Sequence, residues 1–145
     1  MLVDITSDGG MVMEILLHHV AVITRDLERS AHFYEQILQF QRIVRPPFSI
    51  DGRWLSAGPS LQIHLTVYPQ GNFRSGPVDN DDVHFALRTD DFGAAVSRLV
   101  AAGYNPDAAP DDPMRMILKR TGPAGFPQLY VMDPDRNILE INGAS

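Results

Sequence analysis

Apolar and polar positions alternate over residues 16–24: Val20 and Val22 fall on one side of an extended chain, His19 and Ala21 on the other. That period predicts a strand, ended by Arg25-Asp26. The period then changes. Leu27, Ala31, Tyr34 and Leu38 recur at helical spacing, reinforced by Phe33 and Ile37, so a helix follows with Asp26 as N-cap and Glu28 in its first turn. Three more strands are predicted over 40–45, 53–57 and 61–68, separated by Pro46-Pro47, Asp51-Gly52 and Gly58-Pro59. A polar linker rich in Gly, Pro and Asn occupies 69–81. The same order recurs after it: a strand over 83–88, a helix over 91–102 with Phe92, Val96 and Leu99 on one face, and Gly103 as its C′ residue. Strands over 115–120, 128–132 and 138–142 complete the chain. Each half reads β-α-β-β-β, which predicts an α+β fold of two modules, 16–68 and 82–143, behind an N-terminal extension 1–15 with Met11 and Met13 as alternative starts.

The recurrence extends to individual residues. His19, Ala21, Thr24 and Asp26 match His84, Ala86, Thr89 and Asp91 at a constant offset of 65. A repeated supersecondary unit identifies a duplicated module. In the last strand of each half, His64 lies on the polar face beside Gln62 and Thr66, and Glu140 takes the same place between Leu139 and Ile141. Their offset is 76, so the second half holds eleven extra residues, expected within 106–113 and 121–127. His18 is expected on the side opposite His19, and His32 on the helix; both read as ordinary surface or core histidines. Asp133-Pro134-Asp135 reads as a turn without a catalytic role, and Trp54 and Arg45 are candidates for lining a pocket.

Composition narrows the function classes. A net charge of −6, with eleven Arg and one Lys scattered along the chain, argues against a nucleic-acid surface and a polybasic membrane tract. Residues 1–15 lack the basic and apolar regions of a signal peptide, and no apolar run reaches membrane-span length, so a cytoplasmic protein is expected. There is no cysteine. Disulfides and thiolate metal sites are therefore excluded, and any metal is held by nitrogen and oxygen. Three histidines and a carboxylate at equivalent positions of two modules, His19, His64, His84 and Glu140, suit a borderline divalent ion such as Zn, Ni, Co, Fe or Mn.

The phrases His18-His19-Val-Ala-Val with Asp26-Leu27 and Phe33-Tyr34, Ile63-His64-Leu65, Val83-His84-Phe85, and Asp133 through Glu140 resemble the vicinal oxygen chelate superfamily of glyoxalases, bleomycin-resistance proteins and extradiol dioxygenases. The resemblance covers roughly residues 16–143. It implies two βαβββ modules whose curled mixed sheets enclose a divalent metal, ligated by His19, His64, His84 and Glu140. It also implies a homodimer in which each metal is held by one module from each subunit.

The leading expectation is a metal-dependent lyase or isomerase of glyoxalase type on a small oxygenated substrate. Glu140 and Tyr130 would be its catalytic groups, with Gln62 and Thr66 touching substrate. The second is an Fe(II) extradiol-type dioxygenase, for which His19, His84, Glu140 and Tyr130, ten residues before that Glu, would serve. The third is a non-catalytic drug-binding or resistance protein. The chain departs from the family pattern at four points. Glyoxalase I-like members carry Glu where His64 stands, the fosfomycin-resistance branch carries Thr where Ala21 stands, and, against the dioxygenase pattern, Arg136 replaces the usual Gly after Asp-Pro-x and the His expected shortly before Tyr130 is missing from 121–127.

Overall fold

In the computed structural model, residues 9–10 and 13–144 are described, so most of the expected extension lies outside the described residues. The first module comprises β1 (His19–Thr24), helix α1 (Leu27–Ala31) running on as a π-helical segment (His32–Ile37), β2 (Gln41–Ile43), β3 (Gly52–Ser56) and β4 (Gln62–Val67). The second comprises β5 (His84–Thr89), α2 (Phe92–Ala101), β6 (Ile117–Lys119), β7 (Gln128–Met132) and β8 (Ile138–Gly143). The strand orders are β1-β4-β3-β2 and β5-β8-β7-β6, with the first and last strand of each module parallel and the other pairs antiparallel. The fold is α+β, two four-stranded mixed sheets that do not close into a barrel.

The repeated aspartates have a local cause. Asp26 accepts from the Arg29 amide at 3.1 Å and Asp91 from the Ala94 amide at 3.0 Å, so each caps its module's helix. Gly103 adopts φ +105°, and the Tyr104 amide reaches back to the Leu99 carbonyl at 3.0 Å, which closes α2 at the predicted residue.

Two sequence expectations are corrected. The first strand starts at His19 rather than at residue 16, so strand parity does not extend to His18. And the eleven extra residues do not divide between two loops. The module offset is 65 from α1 to α2 but already 76 from β2 to β6, and it stays 76 to the last strand. All of them therefore lie between α2 and β6, where Tyr104 and Met116 are buried and Asn105 bridges Arg115. The 121–127 loop has the same length as its counterpart in module 1.

One face of each sheet joins the helices in a single core built from both modules, including Phe33, Tyr34, Leu55, Leu65, Leu99, Leu129 and Leu139. The β7–β8 turn ties the modules together. Buried Asp133 accepts from the Tyr34 hydroxyl at 2.7 Å, the Asn137 side chain at 2.8 Å, and the backbone amides of Asp135 and Asn137. Burial pushes its carboxyl above the usual range, against the pull of those donors. Asp135 accepts from the Arg25 amide and Asn137 donates to the Ile23 carbonyl, so the turn grips the end of β1.

The 69–81 segment is more than a polar linker. Val78 is buried against Tyr130, Met132 and Ile138, covering one end of the outward face of the second sheet. A cleft of about 550 Å³ runs between the edge strands β1 and β5.

Candidate functional site

Strand register sets the site. Ala21 stands opposite His64 in the parallel β1–β4 pair, and Ala86 opposite Glu140 in the parallel β5–β8 pair. His64 and Glu140 are therefore equivalent positions, each facing a small residue that leaves room above it.

In module 1, the His64 ring lies between two others. It stacks on His19 at 4.0 Å between centroids and on Trp54 at 4.1 Å. Trp54 comes from the β3 position directly opposite His64, which is why its ring can reach. His64 Nε2 is 2.8 Å from Gln62 Oε1, an acceptor, so Nε2 carries the hydrogen and donates while Nδ1 keeps its lone pair. Burial, then the positive charges of His19, His18 and Arg45, push the His64 pKa down to about 4. His18, expected to point away, instead contacts His19 at 2.9 Å between Nδ1 atoms and lines the same cleft of about 540 Å³, with Arg45, Phe48 and Thr66. It precedes the first residue of β1, and its carbonyl accepts from the Gln62 amide of β4 at 3.0 Å.

In module 2, the His84 Nδ1 hydrogen goes to the Asp82 carbonyl at 2.7 Å, which leaves Nε2 facing Glu140 Oε1 at 3.7 Å. Glu140 is buried, and its other oxygen accepts from the Asn142 side chain at 2.7 Å. Gln128 donates to both Tyr130 Oη (3.3 Å) and Glu140 Oε1 (3.4 Å). Tyr130 stands opposite Glu140 on β7, and its ring meets His84 edge-on at 5.5 Å. Burial, then its hydrogen bond and charge contact with Glu140, push the Tyr130 hydroxyl up to about 12, so the phenol stays protonated.

The Glyoxalase/Bleomycin resistance protein/Dioxygenase superfamily profile matches residues 16–141, nearly the whole duplicated region. The chain belongs to this superfamily. Among its relatives, "Glyoxylase I 4" of Arabidopsis thaliana is 28% identical over 139 residues, spanning 93% of this chain and 75% of that one. A glyoxalase family protein from Bacillus anthracis superposes with a TM-score of 0.72 at 20% identity, covering 92% of this chain and 98% of its own. The fosfomycin resistance protein FosX from Listeria monocytogenes superposes at 0.66 with 18% identity, covering 92% and 96%.

Members of the superfamily typically use a divalent metal, and the donors present here suit one. His64 is a neutral imidazole at neutral pH, the form that ligates. His84 keeps Nε2 toward Glu140 and donates through its other nitrogen, the arrangement that orients a ligating histidine. Within one chain these donors stand as two pairs, His19 with His64 and His84 with Glu140. Among the described residues no three His, Asp or Glu side chains gather around one point. Of the residues expected to touch substrate, Thr66 lines the module 1 cleft and Gln62 holds His64.

Trp54 and Arg45, expected as pocket-lining candidates, both line the module 1 cleft, whereas sequence reasoning missed Arg88, Lys119 and Asn142 as residues of these faces. Parity alone could have found Arg88, four residues after His84, and Asn142, two after Glu140. Among the described residues no helix is long and apolar enough to cross a membrane.

Proposed function

We propose that this protein is a divalent-metal-dependent lyase or isomerase of glyoxalase type, acting on a small substrate that chelates through neighbouring oxygens. The observation that carries this reading is the equivalence of His64 and Glu140, each register-paired with an alanine and each beside a histidine of the first strand of its module. His19, His64, His84 and Glu140 would hold the ion, with module 1 of one subunit facing module 2 of another in a homodimer. When bound, the metal supplies Lewis-acid stabilisation of a developing enolate. Glu140 takes and returns the proton: Asn142 fixes one oxygen, and the other faces the open side near His84 and Gln128. Tyr130, held protonated, donates a hydrogen bond to a substrate oxygen.

Tyr130 beside Glu140 and His84 also favours the second reading, Fe(II) extradiol-type ring cleavage, in which the same three residues would surround the reacting centre.

Trp54, the sole tryptophan, is stacked on His64, so ligation there will change its fluorescence. Titrating chelator-treated protein with Zn²⁺, Co²⁺, Ni²⁺, Mn²⁺ and Fe²⁺ is expected to give a saturable Trp54 signal, lost in His64→Ala. No binding of any of these ions would overturn both enzyme readings and leave the drug-binding alternative. Turnover of a hemithioacetal panel is expected to fall about 10²-fold or more in Glu140→Gln. Oxygen uptake with catechols would instead favour the dioxygenase.

A further inference from the structure

The duplication breaks down at the insertion, and a cavity forms there. Module 1 passes from Ile37 to Gln41 between its helix and the next strand, whereas module 2 runs from Ala101 to Ile117 to make the same step. The inserted loop is tied to itself. Asn105 exchanges backbone hydrogen bonds with Met114 and Met116 at 2.9 and 3.1 Å, and Arg115 Nη1 donates to the Ala108 carbonyl at 2.9 Å. Helix 1, this loop and the β7–β8 turn form the walls of a cavity of about 380 Å³, room for a small organic molecule. None of the four candidate metal ligands lines it, and it shares no lining residue with the two clefts beside them.

The floor of the cavity is apolar. The buried Phe33 and Tyr104 rings meet edge-on at 6.0 Å, and Met114 adds its side chain from the loop. Tyr104 gives its hydroxyl hydrogen to the Met132 carbonyl, so that donor is already used.

The rim carries donors: Arg29 and His32 from helix 1, and Arg136 from the turn. Each guanidinium is pinned by one nitrogen. Arg29 Nη2 donates to the Pro134 carbonyl at 2.7 Å, and Arg136 Nη1 to the Gly76 carbonyl at 3.0 Å and the Ser75 carbonyl at 3.4 Å. Among the described residues, their other guanidinium N–H groups make no hydrogen bond. No carboxylate among the described residues stands within ion-pair distance of Arg29, His32 or Arg136. Asp133 is the carboxylate that lines the cavity, and its oxygens already accept from the Tyr34 hydroxyl, the Asn137 side chain and two backbone amides. Anchored guanidinium forks above an apolar floor match an oxyanion carried on a flat apolar body.

We propose that this cavity is a second ligand site, separate from the proposed metal site, for a small aromatic carboxylate. Its carboxylate lies on Arg29, Arg136 and His32, and its ring on Phe33, Tyr104 and Met114. The occupant braces helix 1 against the turn that leads into β8, and it stabilises the folded chain as a ligand of the native state does.

The probe is 2-naphthoate, with neutral 2-naphthamide as control, each titrated into the protein by calorimetry. Saturable binding of one naphthoate per chain is expected, about tenfold or more tighter than naphthamide, with a raised unfolding temperature. Arg29→Gln and Arg136→Gly should each weaken it about tenfold. Arg29 is exposed, and Gly suits the φ of +69° at 136, so both variants keep the fold. Ala102→Leu narrows the cavity, leaves every charge in place, and should weaken naphthoate binding as well. His64→Ala and Glu140→Gln should bind naphthoate as the parent does. Binding that is absent at millimolar naphthoate, that naphthamide matches, or that is indifferent to Ala102→Leu would overturn the site. So would binding that survives replacement of both arginines, or that His64→Ala or Glu140→Gln abolishes. Failure to bind a metal touches none of these readouts, so the two readings fail separately.

Discussion

Asp133 is where a single residue does most for the assembly. It receives four donors from helix 1, from its own turn and from Asn137, and Asn137 in turn holds β1. Asn at that position cannot accept with its amide nitrogen, so one or two buried donors lose their partner. Asp133→Asn is expected to cost about 1–3 kcal/mol, read as a lower urea midpoint at unchanged slope. Unchanged stability would mean that the turn does not tie the modules. Three residues on, Arg136 stands where the resemblance expects Gly, and its φ of +69° shows why Gly is usual. Arg is kept in that conformation with its guanidinium on the Ser75 and Gly76 carbonyls, so the turn also fastens the linker. The turn at Asp133-Pro134-Asp135 was legible in the sequence. Its reach to residues about a hundred positions away was not, because nothing local encodes a partner across the fold.

At the scale of elements, helix 1 is held to its sheet by charge as well as by its apolar stripe. Arg53 on β3 pairs with Glu35 at 3.0 Å and Glu28 at 2.9 Å, and Arg42 on β2 pairs with Glu35 at 2.9 Å. Burial raises the Glu35 pKa, but the hydrogen bonds and charges of Arg42 and Arg53 outweigh it and bring it below the ordinary 4.5. A depressed folded pKa means that the stabilisation is present above the unfolded value and is lost as pH falls through the folded one. Glu35→Gln should therefore lower stability by up to about 1 kcal/mol at neutral pH and by little in acid, where the two proteins converge. Unfolding curves from pH 7 down to pH 3 check this; parallel curves would remove Glu35 from the account. All eight strands and both helices were anticipated, since period and caps are local signals. The π-helical widening after Ala31 and the placement of the whole insertion after α2 were not, because both depend on how the helices settle against the sheets.

For the whole molecule, the two donor pairs set the decisive question of which modules meet. If each site joins module 1 of one subunit to module 2 of the other, mixing and refolding His19→Ala with His84→Ala chains regenerates one intact site per heterodimer. About a quarter of the wild-type metal sites should return in a random mixture, although each variant alone has none. No recovery, in a mixture shown to contain heterodimers, would place the site within one chain. The sequence by itself determined the duplication, the βαβββ order and the four candidate ligands, because side-chain alternation and helical spacing are written in the local pattern and a repeat exposes equivalent positions. Only the tertiary structure decided that His64 is sandwiched between His19 and Trp54, that Val78 closes one end of the second face, and that Arg88 and Lys119 share a row beside Glu140. Those neighbours come from strand register and from long-range packing, which bring together residues that no spacing along the chain relates.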